Sequence, residues 1–164
     1  MIIKQQDRLD HLEDYSRKNN IRIDGFVELP NETNETLHVK VTKLIEDKLQ
    51  IKDVKIDNIH RLSGNKKDQS TPRTIITRFS NQFHRDSTMK NKMKLKGTGI
   101  FINEDLCENT IKARREKMDQ FKQAKSSGKI AFFNGKNLVV RERRHNPAEI
   151  TYNQVIRLLK LYQN

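Results

Sequence analysis

Arginines in two settings carry the chemistry of this chain. In Asn19-Asn20-Ile21-Arg22-Ile23-Asp24-Gly25-Phe26 an arginine alternates with isoleucines. In a strand, Arg22 therefore points away from the side that Ile21 and Ile23 bury. In Ala113-Arg114-Arg115-Glu116 two arginines lie three and four residues after Ile111, and four and three before Met118, beside the apolar stripe of a helix. A cation on the open face of a sheet calls for an anion there, and the planar guanidinium fork can bond two phosphate oxygens at once. Arg114 and Arg115 read in two ways. Their stems could pack over apolar surface with the heads snorkelling into water, or they could clamp a phosphate at the seam between two structural units; we favour the clamp.

A third arginine pair stands in Pro72-Arg73-Thr74-Ile75-Ile76-Thr77-Arg78-Phe79. Arg73 and Arg78 are five positions apart, so an undistorted strand sends them to opposite faces. Arg78 is the better partner for Arg22 on the open face, with Arg73 as a contact near the preceding loop. Aromatic residues are few: seven Phe, three Tyr and no Trp, so base stacking on the central strands is largely missing. The adjacent Phe132-Phe133 is the one platform that suggests itself, because one ring must turn away from the core side of its strand. A stacked base there would contribute about 1–3 kcal/mol. The alternative buries both rings under a helix.

Charge points the same way. The 164 residues carry a formal net charge of +12, with 33% charged and 34% apolar residues. Between Lys112 and Arg144 eleven Lys or Arg face three acids, a surplus of +8 in about one fifth of the chain. Arg85, Lys90, Lys92, Lys94 and Lys96 stand against Asp86 alone. Uncompensated charge of one sign adds nothing to the stability of a domain, and it is the footprint of phosphate neutralisation. One cysteine, Cys107, excludes a disulfide framework and a cysteine-rich zinc site. The five histidines share no metal-ligand spacing, and Ser126-Ser127-Gly128-Lys129 lacks the upstream glycine of a P-loop. No apolar run approaches a membrane span, and Met1-Ile2-Ile3-Lys4 does not open a signal peptide. The expectation is a soluble intracellular protein that is not an enzyme and needs neither cofactor nor metal.

The elements that must position these residues follow from periodicity. Residues 2–19 carry a faint heptad, with Ile2, Leu9 and Ser16 in one series and Gln5, Leu12 and Asn19 in the other, too short and polar for a stable coil by itself. Residues 21–26 alternate as a strand. Asn34 caps a helix whose face is Leu37, Val41, Leu44, Ile45 and Leu49. Strands are expected at 54–62, 73–79 and 100–102, with a helix at 83–93 between the last two. That order, βαββαβ, is the split βαβ sandwich: a four-stranded antiparallel sheet, two helices on one face and the other face open. The open face is the one that RNA-recognition domains use. A helix of about twenty residues then leads from Ile111 to Ser126-Ser127-Gly128. Asn134-Gly135 closes a β-hairpin, both turn residues taking positive φ. The expected division is a coiled-coil stub (1–19), an RRM-like α+β domain (20–104), a basic helix-plus-hairpin domain (105–145) and a tail (146–164) that could form a short helix.

These segments resemble the first open-reading-frame protein of LINE-type non-LTR retrotransposons. The resemblance runs through Leu12-Glu13-Asp14-Tyr15-Ser16-Arg17-Lys18-Asn19-Asn20-Ile21-Arg22-Ile23-Asp24-Gly25, Ile59-His60-Arg61-Leu62 and the Pro72–Phe79 segment. It continues in Lys96-Gly97-Thr98-Gly99-Ile100-Phe101-Ile102-Asn103-Glu104-Asp105-Leu106 and Ala113-Arg114-Arg115-Glu116, colinear over roughly residues 9 to 143. It implies a protein that binds single-stranded RNA and single-stranded DNA with little sequence preference. It further implies a nucleic-acid chaperone that coats the element's RNA in a ribonucleoprotein, cytoplasmic with a nuclear phase also open. Self-association would be a homotrimer through a longer coiled coil. Together with the residue reading, the candidate nucleic-acid contacts are Arg17, Asn20, Arg22, Arg61, Lys66, Lys67, Arg73, Arg78, Lys92, Arg114, Arg115, Lys129 and Phe132. The competing reading is a protein-interaction scaffold that uses the coil and the tail helix, its charge serving solvation.

Overall fold

Ile21 and Ile23 are fully buried, while Asn20, Arg22 and Asp24 occupy the other side of strand β1 (Asn20–Asp24). The computed structural model describes residues 2–63 and 71–143, and within them the chain is α+β. The expected loop residues Lys66 and Lys67 and the expected tail helix lie outside the described residues. The chain divides between Cys107 and Glu108 into two compact units.

In the first unit, helix α1 (Ile2–Ser16) leads into β1, followed by helix α2 (Asn34–Leu49), strands β2 (Ile56–Arg61) and β3 (Ile75–Phe79), helix α3 (Gln82–Asn91), one 3₁₀ turn (Lys92–Leu95) and strand β4 (Phe101–Glu104). The sheet is antiparallel throughout with strand order β2-β3-β1-β4. Its helix-covered face packs Ile21, Ile23, Ile59, Ile75, Phe79 and Ile102 against Leu37, Val41, Ile45 and Leu49 of α2 and Leu95 of the 3₁₀ turn. The i, i+4, i+8 spacing of that α2 stripe puts all four side chains on one helical face.

Boundaries moved where side-chain hydrogen bonds decided them. Thr33, not Asn34, caps α2: its Oγ1 accepts from the Thr36 amide, and the Thr36 hydroxyl accepts from the Thr33 amide, a reciprocal capping box. In β2, Ile56 pairs with Phe79 and Asn58 with Arg78, so Asp57 is an extra residue, a bulge that re-aims its carboxylate.

The second unit contains helices α4 (Glu108–Glu116) and α5 (Met118–Ser126) and the hairpin β5 (Ile130–Asn134) with β6 (Asn137–Arg141). The expected single long helix is thus two, broken at Lys117, whose ψ of 4° leaves the helical range. A straight helix of that length would span about 28 Å at ~1.5 Å per residue, against about 17 Å for a five-residue strand. The break keeps both halves over the hairpin: Lys117 Nζ donates to the Lys136 carbonyl at its tip, and Phe121 of α5 stacks on Phe133 of β5 at 5.4 Å. The hairpin turn also differs from expectation. Asn134 pairs with Asn137, the two-residue loop is Gly135-Lys136, and Gly135 alone takes positive φ (55°). Glycine at the first loop position is the pattern of a type II′ turn, which leaves Asn134 in the strand.

Candidate nucleic-acid interface

Period-two alternation and the pairing register assemble one face of the sheet. Arg22 pairs with Ile76 on one side and Asn103 on the other; Asn20 pairs with Arg78, and Asp24 with Phe101. His60 pairs with Ile76 and Asn58 with Arg78, so β2 contributes these two to the same face. This face, opposite the helices, therefore presents Arg22, Arg78, Asn58, His60, Asn103 and Phe101.

Arg22 makes no side-chain hydrogen bond, ion pair or ring contact among the described residues. Its neighbour Asp24 accepts from the Thr74 hydroxyl at 2.6 Å and from Asn103 Nδ2 at 3.2 Å. Arg78 lies on the open face as expected, 52% exposed and 3.6 Å from the bulged Asp57, itself 61% exposed. An ion pair in that much water is worth about 0–1 kcal/mol, so Asp57 does not hold Arg78 against an incoming phosphate. Lys92, in the 3₁₀ turn, has no side-chain partner among the described residues.

Two arginines among the candidate contacts, Arg61 and Arg73, are tied to acids of their own unit. Arg61 has the parity of the buried Ile59, so it enters the core side at the end of β2. Its Nε donates to Glu32 Oε2 at 2.6 Å, its Nη1 to the Arg73 carbonyl at 2.7 Å and the Phe26 carbonyl at 3.2 Å, and its Nη2 to the Val27 carbonyl at 3.0 Å. Its side chain is 4% exposed. Arg73 is likewise gripped by Glu28, through Nε at 2.9 Å, Nη2 at 2.6 Å and its backbone amide at 3.2 Å. The hydrogen bonds that its guanidinium donates to Glu28 raise the Arg73 pKa above the ordinary arginine value. In both cases acids in residues 28–32 fold back onto the cations: Arg61 is enclosed, whereas Arg73, paired with Glu28, keeps 38% of its side chain exposed. The signal available beforehand was the shared parity of Ile59 and Arg61 and of Arg73 and Ile75.

Burial alone would raise the carboxyl of Glu32, but hydrogen bonds from Arg61 and Lys40 outweigh it and hold the pKa below the usual carboxylate value. A depressed folded-state pKa gives stability that is present above the unfolded value, about 4.3 for Glu, and lost as pH falls through the folded one. We therefore expect the gap in urea midpoint between wild type and Glu32→Gln to be widest near pH 7 and to narrow as pH falls from about 5 towards 3. A gap independent of pH would show that the charge of Glu32 does not stabilise the fold.

Arg17 and Asn20 are also engaged. Arg17 donates to Glu13 at 2.6 Å and Asp105 at 3.3 Å, and Asn20 Nδ2 donates to the other Asp105 oxygen at 2.9 Å. Arg17 is 37% exposed, so part of its head still meets solvent.

In the second unit Arg114 donates through Nε to the Gly135 carbonyl at 2.8 Å, and its guanidinium sits 5.4 Å from the centre of the Phe133 ring. It pins the hairpin turn to α4, a role neither sequence reading contained. Arg115 is exposed, with no side-chain partner among the described residues. Lys129 pairs with the exposed Glu142 at 2.6 Å. Of the two phenylalanines, Phe133 turns inward onto Phe121, and Phe132 turns outward, 41% exposed beneath the Arg141 guanidinium.

Among the described residues no group of three His, Cys, Asp or Glu side chains is placed to hold a metal ion. No helix among them is long and apolar enough to cross a membrane. No protein-family model matches the chain.

Proposed function

We propose that this protein binds single-stranded RNA and single-stranded DNA with little sequence preference, through the RRM-like open sheet face of its first unit and the basic residues of its second. The observation that carries this reading is Arg22: a cation in the middle of a sheet face, with no side-chain partner, diagonal to an exposed Arg78. A buried or paired arginine explains itself structurally, as Arg61 and Arg73 do; Arg22 does not. The element order βαββαβ with strand order β2-β3-β1-β4 supports the RRM-like assignment. That assignment and the motif resemblance together favour a LINE-type first-reading-frame protein that coats and chaperones its RNA.

A second observation bears on assembly. Helix α1 buries Asp10 and sets Asp14 against the Cys107 amide at 2.7 Å, while Leu9, Leu12 and Tyr15 are 59%, 55% and 58% exposed. Apolar residues facing water with acids facing inward favour association through α1, as in a coiled coil.

The test is a binding titration with matched single- and double-stranded oligonucleotides at several salt concentrations. Single strands should bind more tightly, with a log–log salt slope of roughly −4 for about six neutralised phosphates. Arg22→Ala should make the slope shallower by about 0.7 and leave the melting curve unchanged, since it removes one phosphate contact and no internal one. A slope shallower than about −1, or equal affinity for duplex, would rule the open-face reading out.

A further inference from the structure

Phe101 has no structural reason to be aromatic. Its neighbour Ile102 fills the core at 3% exposure, whereas Phe101 is 64% exposed on the open face of the edge strand β4. Beside it Met93 is 70% exposed. The two border a groove of about 300 Å³, lined also by Lys92, Lys96, Ile100 and Asn103. From Ser87 to Asn103 the chain has four lysines and no acid. Lys94 is held by the Leu49 carbonyl and Gln50, but Lys92 and Lys96 have no side-chain partner among the described residues. An apolar floor rimmed by unpaired cations matches one nucleotide, a flat base carrying a phosphate.

The groove is continuous with the sheet face, because Asn103 pairs with Arg22 and Phe101 with Asp24. We propose that a single strand crossing Arg22 leaves the sheet over β4, stacks one base on Phe101 against Met93, and sets the adjoining phosphate between Lys92 and Lys96. This rests on the open-face reading and adds a base-stacking site at the sheet edge, outside the two central strands where stacking aromatics are missing.

The chain contains no tryptophan, so Phe101→Trp installs a lone fluorophore at the site. Its emission should be quenched by a single-stranded oligonucleotide and not by an abasic strand of equal length, which keeps the phosphates but offers no base. Phe101→Ala should weaken binding of the normal oligonucleotide about tenfold. It should leave the salt slope and the affinity for the abasic strand as in wild type, and Phe101→Tyr should restore binding. Arg22→Ala, in contrast, should weaken both strands. If Phe101→Ala binds the normal strand as wild type does while Arg22→Ala weakens both, the stacking site is wrong and the open-face reading stands. If wild type binds neither strand, both fall. If Phe101→Trp emission responds to added wild-type protein and not to oligonucleotide, the β4 edge pairs with protein and the proposal is overturned.

Discussion

Arg61→Ala should destabilise the first unit by about 3–5 kcal/mol, because it leaves the Glu32 carboxylate buried without its main partner. That is a large part of the roughly 5–15 kcal/mol by which a domain is stable. The side chain joins Glu32 to three carbonyls, those of Phe26, Val27 and Arg73, and so ties the segment after β1 to the start of β3. Arg61→Lys keeps the charge but cannot reach four acceptors in one plane, so it should recover only part of the loss. Urea unfolding followed by circular dichroism measures this directly. A variant as stable as wild type but defective in binding RNA would return Arg61 to the interface and refute the internal role.

Gly25→Ala should be comparably damaging, for a steric reason. Gly25 has φ +77°, and a Cβ there would lie 2.0 Å from the Gly99 carbonyl oxygen. The obstacle is backbone, so no rotamer change relieves it. The left-handed conformation costs an alanine about 1–2 kcal/mol, and overpacking typically adds about 1–3 kcal/mol. Gly99→Ala is the control: its φ is also +77°, but its Cβ would meet nothing within 4 Å. It should therefore lose about 1–2 kcal/mol from backbone strain alone. Gly99 also lines the groove beside Phe101, so a Gly25→Ala protein that still folds should have lost the proposed stacking site as well. Equal stability of the two variants would mean that the Gly25–Gly99 approach is not a tight contact in solution.

Features that depend on near neighbours along the chain are readable from residue order. The α2 stripe of Leu37, Val41, Ile45 and Leu49 follows from the helical period, and the burial of Ile21 and Ile23 around Arg22 from the strand period. The order of strands and helices, the hairpin near Gly135 and the basic character of residues 112–144 were legible for the same reason. Which arginines have internal partners depends on contacts between distant parts of the chain. Glu28 reaches Arg73 across 45 residues and Glu32 reaches Arg61 across 29. A carboxylate that far along the chain leaves no periodic trace at the cation it neutralises. The same holds for the break at Lys117, where a lysine ties itself to a hairpin carbonyl 19 residues away. It holds too for the place of Phe101 on an edge strand, a matter of sheet order that local pattern does not record. Period places a side chain on a face; what meets it there is set by the parts of the chain that folding brings alongside.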